Sequence, residues 1–179
     1  MALIYAPTQS PAEVAAKFRA MQARAHALGP VMVVARDMVA KLVDDSFERS
    51  QAPDGTPWAP NAASTIARKG SAKPGIDNGI LRGSMTAAVI PNGVTWGTNT
   101  PYAGPVQFGA VRSGRLKNAS YTGGVKRPAG TPWTSATPGR AFMPFTRDGA
   151  LMRIGRAKTV FDNITRMVMG YIVTGKVSA

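Results

Sequence analysis

The chain has 179 residues with 44% hydrophobic content, enough for one domain with a sizeable core. Only 17% of residues are charged, and 22 Lys and Arg against 9 Asp and Glu give a formal net charge of +13, a balance that favours nucleic acid or an acidic protein surface as surroundings. The absence of cysteine excludes a disulfide framework, a thiolate nucleophile and a Cys-ligated metal, His26 is the only residue a His-dependent triad could use, and no apolar run approaches the ~20 residues that span a bilayer.

The opening MALIYAPTQS has neither a basic n-region nor a full apolar h-region, so a cytoplasmically made, soluble protein is expected. Residues 1–9 read as a short extended arm whose Leu3, Ile4 and Tyr5 can dock on this subunit or a neighbour. Ser10-Pro11-Ala12-Glu13 is a helix start: Ser10 caps, Pro11 suits the first helical position and Glu13 completes a capping box. Val14, Phe18, Met21, Ala25 and Leu28 then form one helical stripe, with His26 expected on a solvated face. Gly29-Pro30 ends this helix and opens a second, with apolar positions Val31, Val34, Met38, Leu42, Val43 and Phe47. Asp44, Asp45 and Glu48 close the second helix. Adjacent carboxylates point to different helix faces, so the signal for a metal or acid/base site is weak, and a solvated end or an inter-subunit salt bridge is expected. Carboxylates at a helix C-terminus oppose the macrodipole, which suggests an external basic partner.

Gln51 to Pro60 is a turn-rich loop that holds a defined shape only if Trp58 is anchored. Asn61 to Lys69 reads as a short helix capped by Asn61 or Ser64, followed by a loop to Gly79. Gly79 to Gly109 carries the clearest hairpin pattern in the chain. Ser84 to Ile90 is small, apolar and β-branched, Pro91-Asn92-Gly93 is turn chemistry, and Val94 to Thr98 resumes. Val94, Trp96 and Thr98 alternate onto one face, which Met85, Ala87 and Val89 can share. Tyr102 to Gly109 reads as an aromatic-rich turn. Trp96, Tyr102 and Phe108, like Trp58 and Phe142, are expected to anchor the fold by packing.

Ala110 to Gly139 holds five glycines, three prolines and the cations Arg112, Arg115, Lys117, Lys126 and Arg127. More broadly, no Asp or Glu occurs from Asn78 through Arg147, an interval with eight Lys and Arg. The stretch is expected to be a long basic loop, with a flexible hairpin around Thr122-Gly123-Gly124, that is disordered alone or ordered by a partner. GTPW occurs at 55–58 and at 130–133 without similarity around it, so the copies are two loops and not a repeat. Arg140 to Phe145 is an extended apolar segment. Thr146 is expected to cap a final helix with Leu151, Ile154, Phe161, Ile164, Val168, Tyr171 and Ile172 on the face that packs over the sheet. Gly149, Gly155 and Gly170 weaken that helix by about 1 kcal/mol each relative to alanine. The fold expected is α+β in a single domain over 1–179: N-terminal helices, a small antiparallel sheet with a central hairpin, and a C-terminal helix.

The chain has no P-loop, no GxGxxG between strand and helix, no HExxH and no GxSxG, and no catalytic, cofactor or metal site is expected. Four elements together resemble the phage virion-morphogenesis or tail-completion family. They are Pro53-Asp54-Gly55-Thr56-Pro57-Trp58 after Ser46-Phe47-Glu48, similar to a PDG-x-PW element; Gly79-Ile80-Leu81-Arg82-Gly83-Ser84; Trp96-Gly97-Thr98 with Tyr102-Ala103 and Val106-Gln107-Phe108-Gly109; and Pro138-Gly139-Arg140-Ala141-Phe142-Met143-Pro144. The ordered set spans about residues 35 to 175. It departs from the family pattern at Val106, where histidine is frequent, and at Gly139-Arg140-Ala141, a variation on Ala-Arg-Pro.

The resemblance implies a structural virion protein, assembled in the host cytoplasm, that forms a hexameric or twelvefold ring in the neck or tail end of a tailed phage. Its implied partners are further copies of itself, adjoining portal, connector or tail-tube proteins, and DNA passing non-specifically through the lumen. In such a ring Arg112, Arg115, Lys117, Lys126, Arg127 and Arg140 are the expected contacts to a subunit or the DNA channel. A DNA-binding accessory protein of packaging or morphogenesis is the alternative, supported by charge but by no helix-turn-helix. A metal-dependent nuclease using Asp44, Asp45 and Glu48 is the remaining reading.

Overall fold

The computed structural model describes residues 9–122 and 125–177, so the expected arm before Gln9 and Gly123-Gly124 lie outside the described residues. The architecture is α+β, and the described strands pair as three two-stranded antiparallel sheets rather than one wall. The chain divides into two compact units.

The first unit takes the chain up to Lys41, Thr86–Gly97, and the chain from Lys158 onward. It opens with α1 (Pro11–Ala25). The Ser10–Glu13 capping box forms in both directions, with Pro11 in the first turn. The Ser10 hydrogen bonds hold the Glu13 carboxyl below its ordinary pKa. His26 is the exposed C-cap of this helix rather than an interior position. The first part of α2 (Gly29–Arg49) supplies Val31, Met32 and Ala35 to a core closed by Met167 of α6 (Gly155–Thr174). Hairpin β1 (Thr86–Ile90) and β2 (Gly93–Gly97) lays Val89 and Val94 against this cluster. The register pairs Ala87 with Trp96 and Val89 with Val94, so the expected shared face is present. Asn92 takes the left-handed conformation at φ 56° in the turn. Ile164, Val168 and Tyr171 of α6 pack on the same core. Arg24 donates to the carbonyls of Ile172 and Val173, both at 2.8 Å, placing a cation at the C-terminal end of α6 where the macrodipole favours it.

The second unit comprises Leu42–Met85 and Thr98–Ala157. Its core is an aromatic cluster. Phe47 and Phe142 are 0% and 1% exposed, with ring centroids 5.3 Å apart, and Trp58 meets Phe47 edge-on at 5.5 Å. The unit also holds three short helices: α3 (Ala63–Lys69), α4 (Ile80–Gly83) and α5 (Ala103–Phe108). Residue Ala62 stands at the N-cap of α3 without a side-chain hydrogen bond, so neither Asn61 nor Ser64 caps it. Asn61 instead donates to the carbonyls of Ala72 and Lys73.

Three further expectations are corrected in this unit. Tyr102 to Gly109 is helical over α5 and not a turn, and Tyr102 at its N-terminal edge is 44% exposed, so it does not anchor a core. The 110–139 stretch is a nested ribbon: β3 (Ala110–Arg115) pairs with β6 (Pro132–Thr137), and β4 (Ser120–Thr122) pairs with β5 (Val125–Arg127) between them. Thr146 does not cap α6. It closes a local turn, its hydroxyl donating to Asp148 and its backbone N–H donating to the Ala150 carbonyl at 2.9 Å, while α6 begins only at Gly155. Leu151 and Ile154, expected on the helix face, precede the helix and are 45% and 62% exposed. Gly155 sits at φ 57° with its Cα packed on the Asp54 carbonyl, leaving no room for a Cβ.

Truncating the aromatic core should be costly where the exposed stripe is not. Phe142→Ala is expected to lose about 3–5 kcal/mol in urea denaturation, whereas the exposed Phe18→Ala should stay within about 0.5 kcal/mol of wild type.

Candidate functional site

Residues of three of the motifs, Trp58, Val106 to Gly109 and Gly139 to Pro144, meet at one place in the second unit. Segment 139–145 is held there from several sides. The Gln107 amide donates to the carbonyls of Met143 and Phe145, both at 3.1 Å, and accepts from the N–H groups of Phe142 and Met143 at 2.9 and 3.0 Å. A residue only 5% exposed thus satisfies its whole hydrogen-bonding capacity on one neighbouring strand of backbone. The Trp58 indole N–H donates to the Ala141 carbonyl at 2.8 Å, and the Arg140 backbone N–H reaches the Val106 carbonyl at 2.7 Å. Gly109 at φ 73° lets the backbones touch, since an added Cβ would come 2.8 Å from the Gly139 nitrogen. Phe108 is half-buried against Phe145, with Arg147 over its ring at 5.6 Å.

Arg140 belongs to this knot. Its guanidinium donates to the Ala59 carbonyl at 3.0 and 3.1 Å and to Asn61 Oδ1 at 3.2 Å, and burial lowers its pKa. It is therefore committed to its own chain and is not brought together with the five cations of the ribbon. Those five stand apart: Arg112, Arg115, Lys117 and Lys126 are exposed and Arg127 is half-buried. Trp96 is half-buried in the hairpin of the first unit.

The acidic end of α2 finds its basic partner inside the chain. Arg82 of α4 reaches Asp44 Oδ2 at 2.7 Å and Glu48 Oε1 at 3.0 Å. The hydrogen bonds to Asp44 and then Glu48 raise the Arg82 pKa. Among the described residues no group of three His, Cys, Asp or Glu is placed to hold a metal ion. Nearby, a cavity of about 350 Å³ is lined by Asn61, Arg68, Asp77, Ile80, Tyr102 and Arg140, and Arg68 pairs with Asp77 at 3.5 Å rather than forming an acid/base couple. The site these elements build holds backbone in place; it has no nucleophile–base pair. Gln107 and Arg82 stand inside the family-like motifs, but the sequence assigned neither a role of its own, nor one to Trp133, which lays its ring across Gly114 on the facing strand.

Replacing Gln107 by Glu keeps the shape and removes both amide donors, setting carboxylate oxygens against the Met143 and Phe145 carbonyls. Gln107→Glu is expected to cost at least about 3 kcal/mol in urea denaturation at neutral pH. A loss under 1 kcal/mol would contradict the role assigned to this clamp.

Comparison with curated proteins and with solved structures gives no match. Among the described residues no helix is long and apolar enough to cross a membrane. The profile of the phage virion morphogenesis family matches residues 11–162, a span that contains α1, the aromatic core, the Gln107 clamp and the ribbon. The chain therefore belongs to the phage virion morphogenesis family and is a bacteriophage protein of virion assembly.

Proposed function

We propose that the chain is a structural rather than enzymatic subunit of a homo-oligomeric ring, sixfold or twelvefold, in the neck or tail end of a tailed phage. In that position it would adjoin portal, connector or tail-tube proteins. The observation that carries this reading is α1. Among the described residues this helix of 15 residues, with a complete capping box, has no buried position, and its stripe leaves Val14 38% and Phe18 65% exposed. In the same unit α6 leaves Met169 58% and Val173 56% exposed. A well-formed helix with an uncovered apolar stripe is what a permanent subunit contact requires. The motif knot supports the same reading, since its polar groups are consumed in holding backbone.

Native mass spectrometry of the full chain tests it. A discrete closed oligomer is expected, and Phe18→Asp should shift it toward monomer while helical circular dichroism is unchanged. Assembly by Phe18→Asp at wild-type affinity would contradict the contact, and a chain that is monomeric and never enters particles would contradict the ring.

A further inference from the structure

The ribbon has chemistry that the ring reading leaves unassigned. It is a two-stranded antiparallel element, almost wholly exposed along β3 and β6. Arg112 pairs with Ser135 and Arg115 with Pro132, so the two arginines, three residues apart, point to opposite faces. Lys126 and Arg127 are consecutive in β5 and likewise alternate. Arg115 is tied down by a 3.0 Å bond to the Gly130 carbonyl, and Lys117 is exposed just beyond β3. Among the described residues no carboxylate is ion-paired with any of the five, and the sequence from Asn78 to Arg147 contains none.

We propose that this ribbon is a non-specific contact to duplex DNA, with Arg112, Arg115, Lys117, Lys126 and Arg127 placed against phosphates on both of its faces. Charge decides the occupant. A second copy carries the same net charge of +13 and so repels the ribbon overall. Five of the nine carboxylates, Asp37, Asp44, Glu48, Asp77 and Asp162, are ion-paired within the chain. Glu13 closes the α1 cap, Asp54 accepts the Thr56 N–H, Asp148 bonds Thr146, and Asp45 faces Arg156. Geometry agrees, because a major groove about 12 Å wide admits a two-stranded ribbon and presents a phosphate row on each side. In β3 and β6 the residues beside the cations are mostly Ser, Thr, Ala and Val, with no Asn or Gln amide to read a base edge, so the strand contacts are assigned to the phosphates. This extends the ring reading by naming what the ribbon meets. The two remain separable, since native mass reports assembly and DNA binding reports the ribbon.

The test is fluorescence anisotropy of the full chain with a labelled duplex of arbitrary sequence, across a salt series. Binding in the range of about 10⁻⁴–10⁻⁶ M is expected near physiological salt, indifferent to sequence. Replacing all five ribbon cations by alanine should flatten the log–log salt slope by up to about 4. A control removing Arg49, Lys73, Arg153, Arg166 and Lys176, exposed cations outside α1 and the ribbon, should change it much less. Equal losses in the two variants, or no binding by wild type, would overturn the proposal. Acetylation of the wild-type protein needs no variant: DNA should protect Lys117 and Lys126 but not Lys17 or Lys73, and unprotected Lys117 and Lys126 would overturn it as well.

Discussion

The second unit depends on how segment 139–145 is tied down. This stretch has no helix and no ladder of its own, yet Phe142, Met143 and Pro144 are buried, so its backbone polar groups must find partners elsewhere. Gln107 supplies four of them, Trp58 accepts the task for Ala141, and Val106 receives the Arg140 N–H. Once those bonds fix the backbone, Phe142 is set against Phe47, and Arg140 can reach back to the loop after Trp58. Removing the Gln107 amide would leave the Met143 and Phe145 carbonyls and the Phe142 and Met143 N–H groups without these partners, which costs more than the bonds contribute. The elements that resemble the family are, in this structure, mostly the parts of one knot, which explains why they are spread along the chain.

That use of polar groups shapes the outside of the molecule. Carboxylates are few and engaged within the chain, whereas among the described residues no carboxylate pairs with a ribbon cation and α1 has no buried position. An apolar helix face and a basic ribbon ask for different neighbours, one a subunit and the other a polyanion. A virion assembly protein that holds itself to its copies and meets the packaged genome would use both.

Local patterns were legible in the sequence; long-range ones were not. The α1 cap and the β1–β2 register depend on residues within a few positions of each other, and both are where the pattern places them. Segment α5 was obscured by Gly104-Pro105, which read as a turn. Pro105 lies in the first turn, where its missing N–H has no helical partner to lose. The ribbon was hidden by its Gly and Pro content. Pro132 occupies the first position of β6, where it breaks no interior ladder, and Gly114 makes room for the Trp133 ring. Thr146 looked like a cap because its chemistry suits one, but the Asp54 carbonyl packs against Gly155 and α6 starts there. Gln107 was visible only as a letter of a family-like motif, and its role was not, because its partners are 35 to 38 residues away. The acidic end of α2 called for a basic partner but was expected to find it outside the chain; the structure supplies Arg82 of the same chain instead, 38 residues from Asp44.

Electron cryo-microscopy of the mature particle is the most direct measurement of the central claim. The account predicts this chain as a closed ring at the neck or tail end, with α1 in the contact between adjacent copies and the 110–139 ribbon turned toward the DNA. A particle without the chain, or one in which it occurs as isolated copies with α1 facing solvent, would contradict it.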